Sequence, residues 1–293
     1  MNWTEGQFVI HKNKPDWGVG KVIQATSQEV VVFFIDEGRM RFSQIAAFQS
    51  ANCSNLERAF FDRLIPFSSE GQERFLPLRD CVQYFLKLFP GGFDDPNYLS
   101  VNTGAGERAY KLAASQLAST LLSKPAWEEL SSTGNFDEIC KRLGTVESKT
   151  NLLHTFEKIK WHAALKNPQL QQPLADALFN DLYGSADRQT RFNGLAKVLA
   201  QADSCAKWTI ATYYGFLLQP EPRMFIKPEV TKFAAKACGW DIQYASELNW
   251  ATLNSVEDFA SYLFGKLKRR GLTPRDMIDV QSFIWCIDPK SYA

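Results

Sequence analysis

The sequence predicts a mainly α protein with a small N-terminal β-barrel and a large all-helical domain. Residues 5–48 alternate β-branched and aromatic runs with Gly, Asn and Asp turn clusters, as short strands do. From about residue 55 the apolar positions recur at helical spacing. Gly and Pro then punctuate that second pattern at the intervals expected between helices. The boundary is drawn at residue 50, giving a barrel over 1–50 and a helical domain over 51–293.

Composition limits what such a chain does. Its 293 residues are 45% hydrophobic and 22% charged, an ordinary globular balance. The formal net charge is +1, so there is no global basic field, and any contact with nucleic acid must come from local patches. No apolar run approaches the ~20 residues of a membrane span, and no leader pattern opens the chain, so no membrane partner and a cytoplasmic location are expected. The six cysteines are scattered without a C-x-x-C, and the three histidines form no ligand cluster. Reduced thiols, no metal and no other cofactor are therefore expected.

In chain order, strands are predicted at 7–11, 21–25, 29–35 and 39–42, with turns at 13–16 and 36–38. His11-Lys12-Asn13-Lys14-Pro15-Asp16-Trp17-Gly18-Val19-Gly20-Lys21-Val22, followed by the run Val30 to Phe34, resembles a bacterial Tudor/SH3-like family. Its relatives include modules of superfamily-1 DNA-repair helicases and of the transcription–repair coupling factor. That resemblance implies a docking accessory for nucleic acid or its machinery. A barrel that only packs on the main domain is the other reading.

Beyond a connector over 49–80, Asp80 is read as the cap of a helix over 81–89, and 93–106 as a loop. The Asn102 to Gly106 stretch enters a helix over 107–122. It is read as a phosphate cradle or, more simply, as a cap at Thr103. Helices are predicted over 125–131, 136–143, 147–166, 173–183 and 187–201. Lys158-Ile159-Lys160-Trp161 suits either a nucleic-acid face or an ordinary amphipathic helix. Another helix, 255–267, capped by Ser255, ends in the densest basic run: Lys266, Lys268, Arg269 and Arg270. These cations either meet phosphates or complement the helix dipole. Thr273-Pro274-Arg275-Asp276 starts the last helix, on which Gln281 and Trp285 share a face. Asp279 sits in that apolar helix, either exposed or buried, where burial raises a carboxyl pKa.

Between them lies Cys205 to Trp240. An apolar helix from Lys207 to Leu218 breaks at Pro220-Glu221-Pro222, and Lys227-Pro228 opens a second helix that Gly239 stops. Lys207-Trp208-Thr209-Ile210-Ala211 and Ile226-Lys227-Pro228-Glu229-Val230 resemble the two active-site segments of helix–hairpin–helix DNA glycosylases, here around 195–242. The Gly-Val-Gly hairpin of that superfamily is replaced by Ala202-Asp203-Ser204-Cys205-Ala206, and Lys227 occupies the position of its catalytic Asp.

The resemblance implies a base-excision enzyme on double-stranded DNA, working as a monomer. Among bacterial relatives, a chain of this size joining such modules looks like a phage-defence glycosylase that excises glucosylated hydroxymethylcytosine from phage DNA. Lys227, Glu229 and Asp279 are the catalytic candidates. Lys207, Lys232, Lys268, Arg269, Arg270 and Trp208 are the DNA-binding ones. Trp161, Tyr213, Tyr214, Trp240 and Trp250 are further candidates for walls around an extruded base. Lys227 and Glu229 are expected to face one aromatic-lined pocket. The competing hypothesis is a non-catalytic protein whose barrel binds RNA polymerase or nucleic acid while the helices act as a scaffold.

Overall fold

The computed structural model describes residues 2–44, 47–64, 76–100 and 106–290. The predicted cap at Thr103 falls outside these residues. The N-terminal strands are β1 Phe8–His11, β2 Gly20–Ala25, β3 Glu29–Phe34, β4 Gly38–Ser43 and β5 Phe48–Ser50. They form one antiparallel sheet in the order β4-β3-β2-β1-β5, so three successive hairpins are closed by a strand returning beside β1. Val30, Val32 and Phe34 share one face of β3 and pack with Val9, Val22 and Phe48. The rings of Phe42 and Phe48, on the two outermost strands, meet at 5.0 Å, which curls the sheet into a barrel-like shape. Gly20 permits this crossing, since a Cβ there would lie 2.5 Å from Val32. Strand β5 was not anticipated; three residues are too few to display a period of two.

The opposite face of β3 is buried as well. Phe33 lies 5.9 Å from Phe60 and joins Val19 and Ile35 in the main helical core. A strand covered on both faces needs apolar residues at every position, which is why Val30 to Ile35 is a continuous run.

Among the described residues the helical part comprises α1 Asn55–Asp62, α2 Leu78–Leu88, α3 Pro96–Leu99, α4 Ala109–Leu121, α5 Lys124–Ser132, α6 Phe136–Glu147 and α7 Thr155–Leu165. It continues with α8 Pro168–Tyr183, α9 Arg188–Leu199, α10 Trp208–Leu218, α11 Pro228–Ala237, α12 Trp250–Arg269 and α13 Met277–Cys286. Helix α10 is apolar all round and buried from Trp208 to Leu217, so it is the central rod. Pro228 takes the first turn of α11, and Gly239, at φ 75°, follows its end. Asp276 caps α13 by accepting from the Ile278 and Asp279 N–H groups at 3.0 and 3.2 Å.

Several boundaries differ from expectation. The predicted helix over 147–166 is two elements: α6 continues to Glu147 and α7 begins after His154, whose side chain and Glu157 form a capping box. Gly144 lies inside α6, where a Cβ would stand 3.2 Å from the His162 ring. Pro173 is inside α8, which starts after the Asn167 cap. Asn249, not Ser255, caps α12; Ser255 is buried and donates to Asp241 O at 3.0 Å. Pro77 precedes α2, leaving Asp80 in its first turn, and the predicted loop at 93–106 contains α3.

The basic end of α12 fastens the barrel to the helices. Lys266 is buried and pairs with Asp36 at 3.2 Å, and Arg270 pairs with the same carboxylate at 2.8 Å. Arg269 reaches Glu57 at 3.6 Å, and Arg79 of α2 reaches Glu37 at 2.7 Å.

Candidate active site

A cavity of about 560 Å³ opens where the start of α4, the 148–152 segment, the mouth of α11 and one face of α13 converge. Glu107, Tyr110 and Lys111 supply one wall, Ser148 to Leu152 the rim, and Lys227, Gln281 and Trp285 the rest. The rim exists because α6 and α7 are separate. Its shape is held by Thr150, whose hydroxyl meets Tyr213 Oη at 2.7 Å and whose carbonyl accepts from Lys158 Nζ at 2.5 Å.

Two amines lie in this cavity without full neutralisation. Lys227 caps α11 with its backbone extended, and its Nζ lies 4.1 Å from the centroid of the Trp285 ring. Among the described residues no carboxylate forms an ion pair with it. Desolvation lowers its pKa below the ordinary lysine value, Lys111 adds to the lowering, and Glu157 and Glu107 oppose it. Lys111 is 1% exposed and bonds to Glu107 at 3.1 Å and to Ser282 Oγ at 2.8 Å. Burial lowers its pKa too, with Glu107 pulling the other way. An amine held below its usual pKa is the chemical requirement for a lysine nucleophile.

Helix α13 is pinned from behind. Asp279 is wholly buried and accepts from Tyr98 Oη at 2.5 Å, Arg108 at 2.7 Å and the Arg275 backbone N–H at 2.8 Å. Arg108 also clasps Asp276 through both oxygens, at 2.8 and 2.7 Å. Asp279 therefore resolves to the buried alternative, but as an anchor bonded on several sides, and it does not line the cavity. The network fixes the helix that carries Gln281 and Trp285.

The other sequence candidates disperse. Glu229 is exposed on the outer face of α11, pairs with Lys232 at 2.6 Å and is not part of the cavity wall, contrary to the expectation of a shared pocket with Lys227. Lys232 also lies 4.9 Å from the Tyr244 ring. Trp208 is a core residue, stacked on Phe192 at 5.9 Å with its indole N–H on Ala245 O, so it offers no surface to DNA. Trp161, Tyr213, Tyr214 and Trp240 are likewise buried in the core, and Trp250 is half-buried outside the cavity. Lys207 is exposed ahead of α10, and Lys268 is exposed over the Phe264 ring at 4.2 Å. Arg270 belongs to the barrel seam through Asp36, and Arg269 pairs with Glu57 of α1. The Lys158 to Trp161 group is an amphipathic turn: Lys160 pairs with Asp203 at 2.6 Å, and Trp161 donates to Tyr214 Oη.

Sequence reasoning missed Glu107, Tyr110 and Lys111 as site residues. One signal was present: Lys111 lies in register with the buried Ala114 and Ala118 of α4, an ionisable group on an apolar stripe. Tyr110 and Trp285 are the aromatics that the cavity uses.

Comparison with known proteins reaches only the barrel. Residues 4–44 match the family described as "Protein of unknown function (DUF3553)". No curated protein and no solved structure matches the chain. The described residues contain no helix long and apolar enough to cross a membrane, and no group of three or more His, Cys, Asp and Glu placed to hold a metal ion.

Proposed function

We propose that this chain is a DNA base-excision enzyme, a lysine-dependent N-glycosylase that takes an extruded modified base into the α4–α11–α13 cavity. The observation that carries the reading is Lys227: a desolvated amine on an aromatic face, at the mouth of a polar cavity large enough for a nucleotide. The unprotonated Nζ attacks C1′ of the sugar, and the C1′–N bond breaks with its electron pair leaving on the base. The base takes a proton from solvent, and Glu107 receives the proton lost by the amine. Opening of the sugar ring then gives a Schiff base that water hydrolyses. Glu107 takes the carboxylate role first assigned to Glu229 and Asp279, because it is the acid in the cavity wall. A duplex seated over the rim would meet Lys149 there, and Phe156 and Ile159, which stand exposed on α7 just beyond it. Glucosylated hydroxymethylcytosine in phage DNA, the substrate implied by the family resemblance, belongs to this reading as its most specific form.

The test uses a duplex with a natural abasic site, whose C1′ aldehyde accepts an amine whatever base is preferred. Borohydride should trap a covalent protein–DNA adduct that Lys227→Ala loses and Lys207→Ala keeps. An adduct absent from the wild type, or unchanged in Lys227→Ala, overturns the assignment. A non-catalytic protein that binds nucleic acid or RNA polymerase through the barrel then becomes the better reading.

A further inference from the structure

We infer that Gln281 selects the ligand of this cavity, and that the bound molecule donates an N–H hydrogen bond to its Oε1. Gln281 is 2% exposed, lines the cavity, and its Oε1 is buried without a hydrogen-bond partner. Buried side-chain oxygens are almost always bonded, and leaving one unpaired is costly, so an orphan on a residue that lines a cavity marks where a ligand donor belongs. The backbone that carries this side chain is held on both sides. Asp279, two residues earlier, is locked by Tyr98, Arg108 and Arg275, and the next residue, Ser282, is held by Lys111 and by its own bond to Ile278 O at 2.8 Å. A buried acceptor with no other donor to hand discriminates against ligands that lack one.

The cavity's other polar groups set what stands beside that donor. Lys111 and Lys227 present cationic or amine N–H groups, which suit ligand acceptors. The ligand edge thus carries an N–H next to an acceptor, the arrangement on the pairing edge of a nucleobase. Two sources supply such a donor: an exocyclic amino group, as in cytosine, or a ring imide, as in thymine. That the ligand is an extruded base rests on the base-excision reading; the demand for a donor at Gln281 does not.

Equilibrium binding of short duplexes tests this without requiring cleavage. The test nucleotide is placed opposite a tetrahydrofuran abasic analogue, so its extrusion breaks no base pair and offers no aldehyde to Lys227. The amino arm compares deoxycytidine with deoxyzebularine, which lacks the amino group. The imide arm compares thymidine with its difluorotoluene isostere, which lacks the imide N–H. In at least one arm the wild type should bind the donor-bearing nucleotide about 10- to 100-fold more tightly, the range expected when a buried acceptor loses its donor. Gln281→Met, similar in volume but without the amide, should reduce that ratio to about threefold or less. Equal binding within both wild-type pairs, or an undiminished ratio in Gln281→Met, overturns the proposal. The wild-type comparison stands even if the variant does not fold. Discrimination without borohydride trapping would keep Gln281 and discard the glycosylase; trapping without discrimination would do the reverse.

Discussion

Two groups of basic side chains, one at the barrel seam and one at the cavity, have surroundings that give them opposite characters. At the barrel seam, Lys266 and Arg270 converge on one carboxylate, Asp36, at 3.2 and 2.8 Å. In the cavity, Lys227 has the face of Trp285 and, among the described residues, no ion-paired carboxylate, and Lys111 pairs with Glu107. A neutralised cation is stable and chemically quiet; a desolvated one with incomplete compensation is inclined to give up its proton. Local sequence favours the wrong member of the pair, because the seam has the denser basic run. What separates glue from chemistry is the acid across the gap, and that acid comes from a distant part of the chain.

The largest effect should come from removing the cavity amine. Lys227→Ala is expected to lower borohydride-trapped adduct by about 100-fold or more, read by gel against wild type, while the urea midpoint stays near the wild-type value. A double substitution of Lys268 and Arg269 to Glu should leave the adduct on abasic DNA in place, since neither residue lines the cavity.

The reverse experiment belongs to the seam. Asp36→Ala leaves two partly or wholly buried cations without their shared carboxylate and should cost about 3–5 kcal/mol in urea denaturation. Phe33→Ala, which empties the contact with Phe60 on the helical side of β3, should cost a similar ~3–5 kcal/mol. If neither variant loses stability, the barrel is not held as described and its outer face is free to act independently.

A smaller effect sharpens the electrostatics. The reactive form of Lys227 is the neutral amine, so adduct formation rises as pH climbs through its lowered pKa. Lys111 pushes that pKa down, while Glu157 and Glu107 push it up. Glu157→Gln removes one opposing carboxylate and keeps one oxygen for the α7 capping box, while its amide NH2 can donate to the Thr209 hydroxyl. The acidic limb of the adduct rate should therefore move to lower pH. A limb that moves to higher pH would show that Glu157 acts by positioning the amine. Smallest of all, Glu229→Gln should change neither adduct yield nor thermal midpoint, because that side chain is exposed and its pairing with Lys232 is superficial.

Much of the fold was written locally. The continuous apolar run of β3, Pro228 and Gly239 around α11, and the Asp276 cap of α13 each follow from residues within a few positions of one another. So does the placement of Lys227 at a helix mouth. The gap between α6 and α7 was legible only in part, since the helical pattern continues through 148–154 and the His154–Glu157 box is an uncommon cap. Tertiary structure decided the rest. It made Asp279 an anchor by bringing Tyr98 and Arg108 to it from 181 and 171 residues away. It turned Trp208 inward and Glu229 outward, and it assembled Glu107, Lys111, Gln281 and Trp285 around Lys227. Helix and strand formation depend on neighbours in sequence, whereas burial, charge compensation and an unpaired amide oxygen depend on which distant side chains share the same few ångströms.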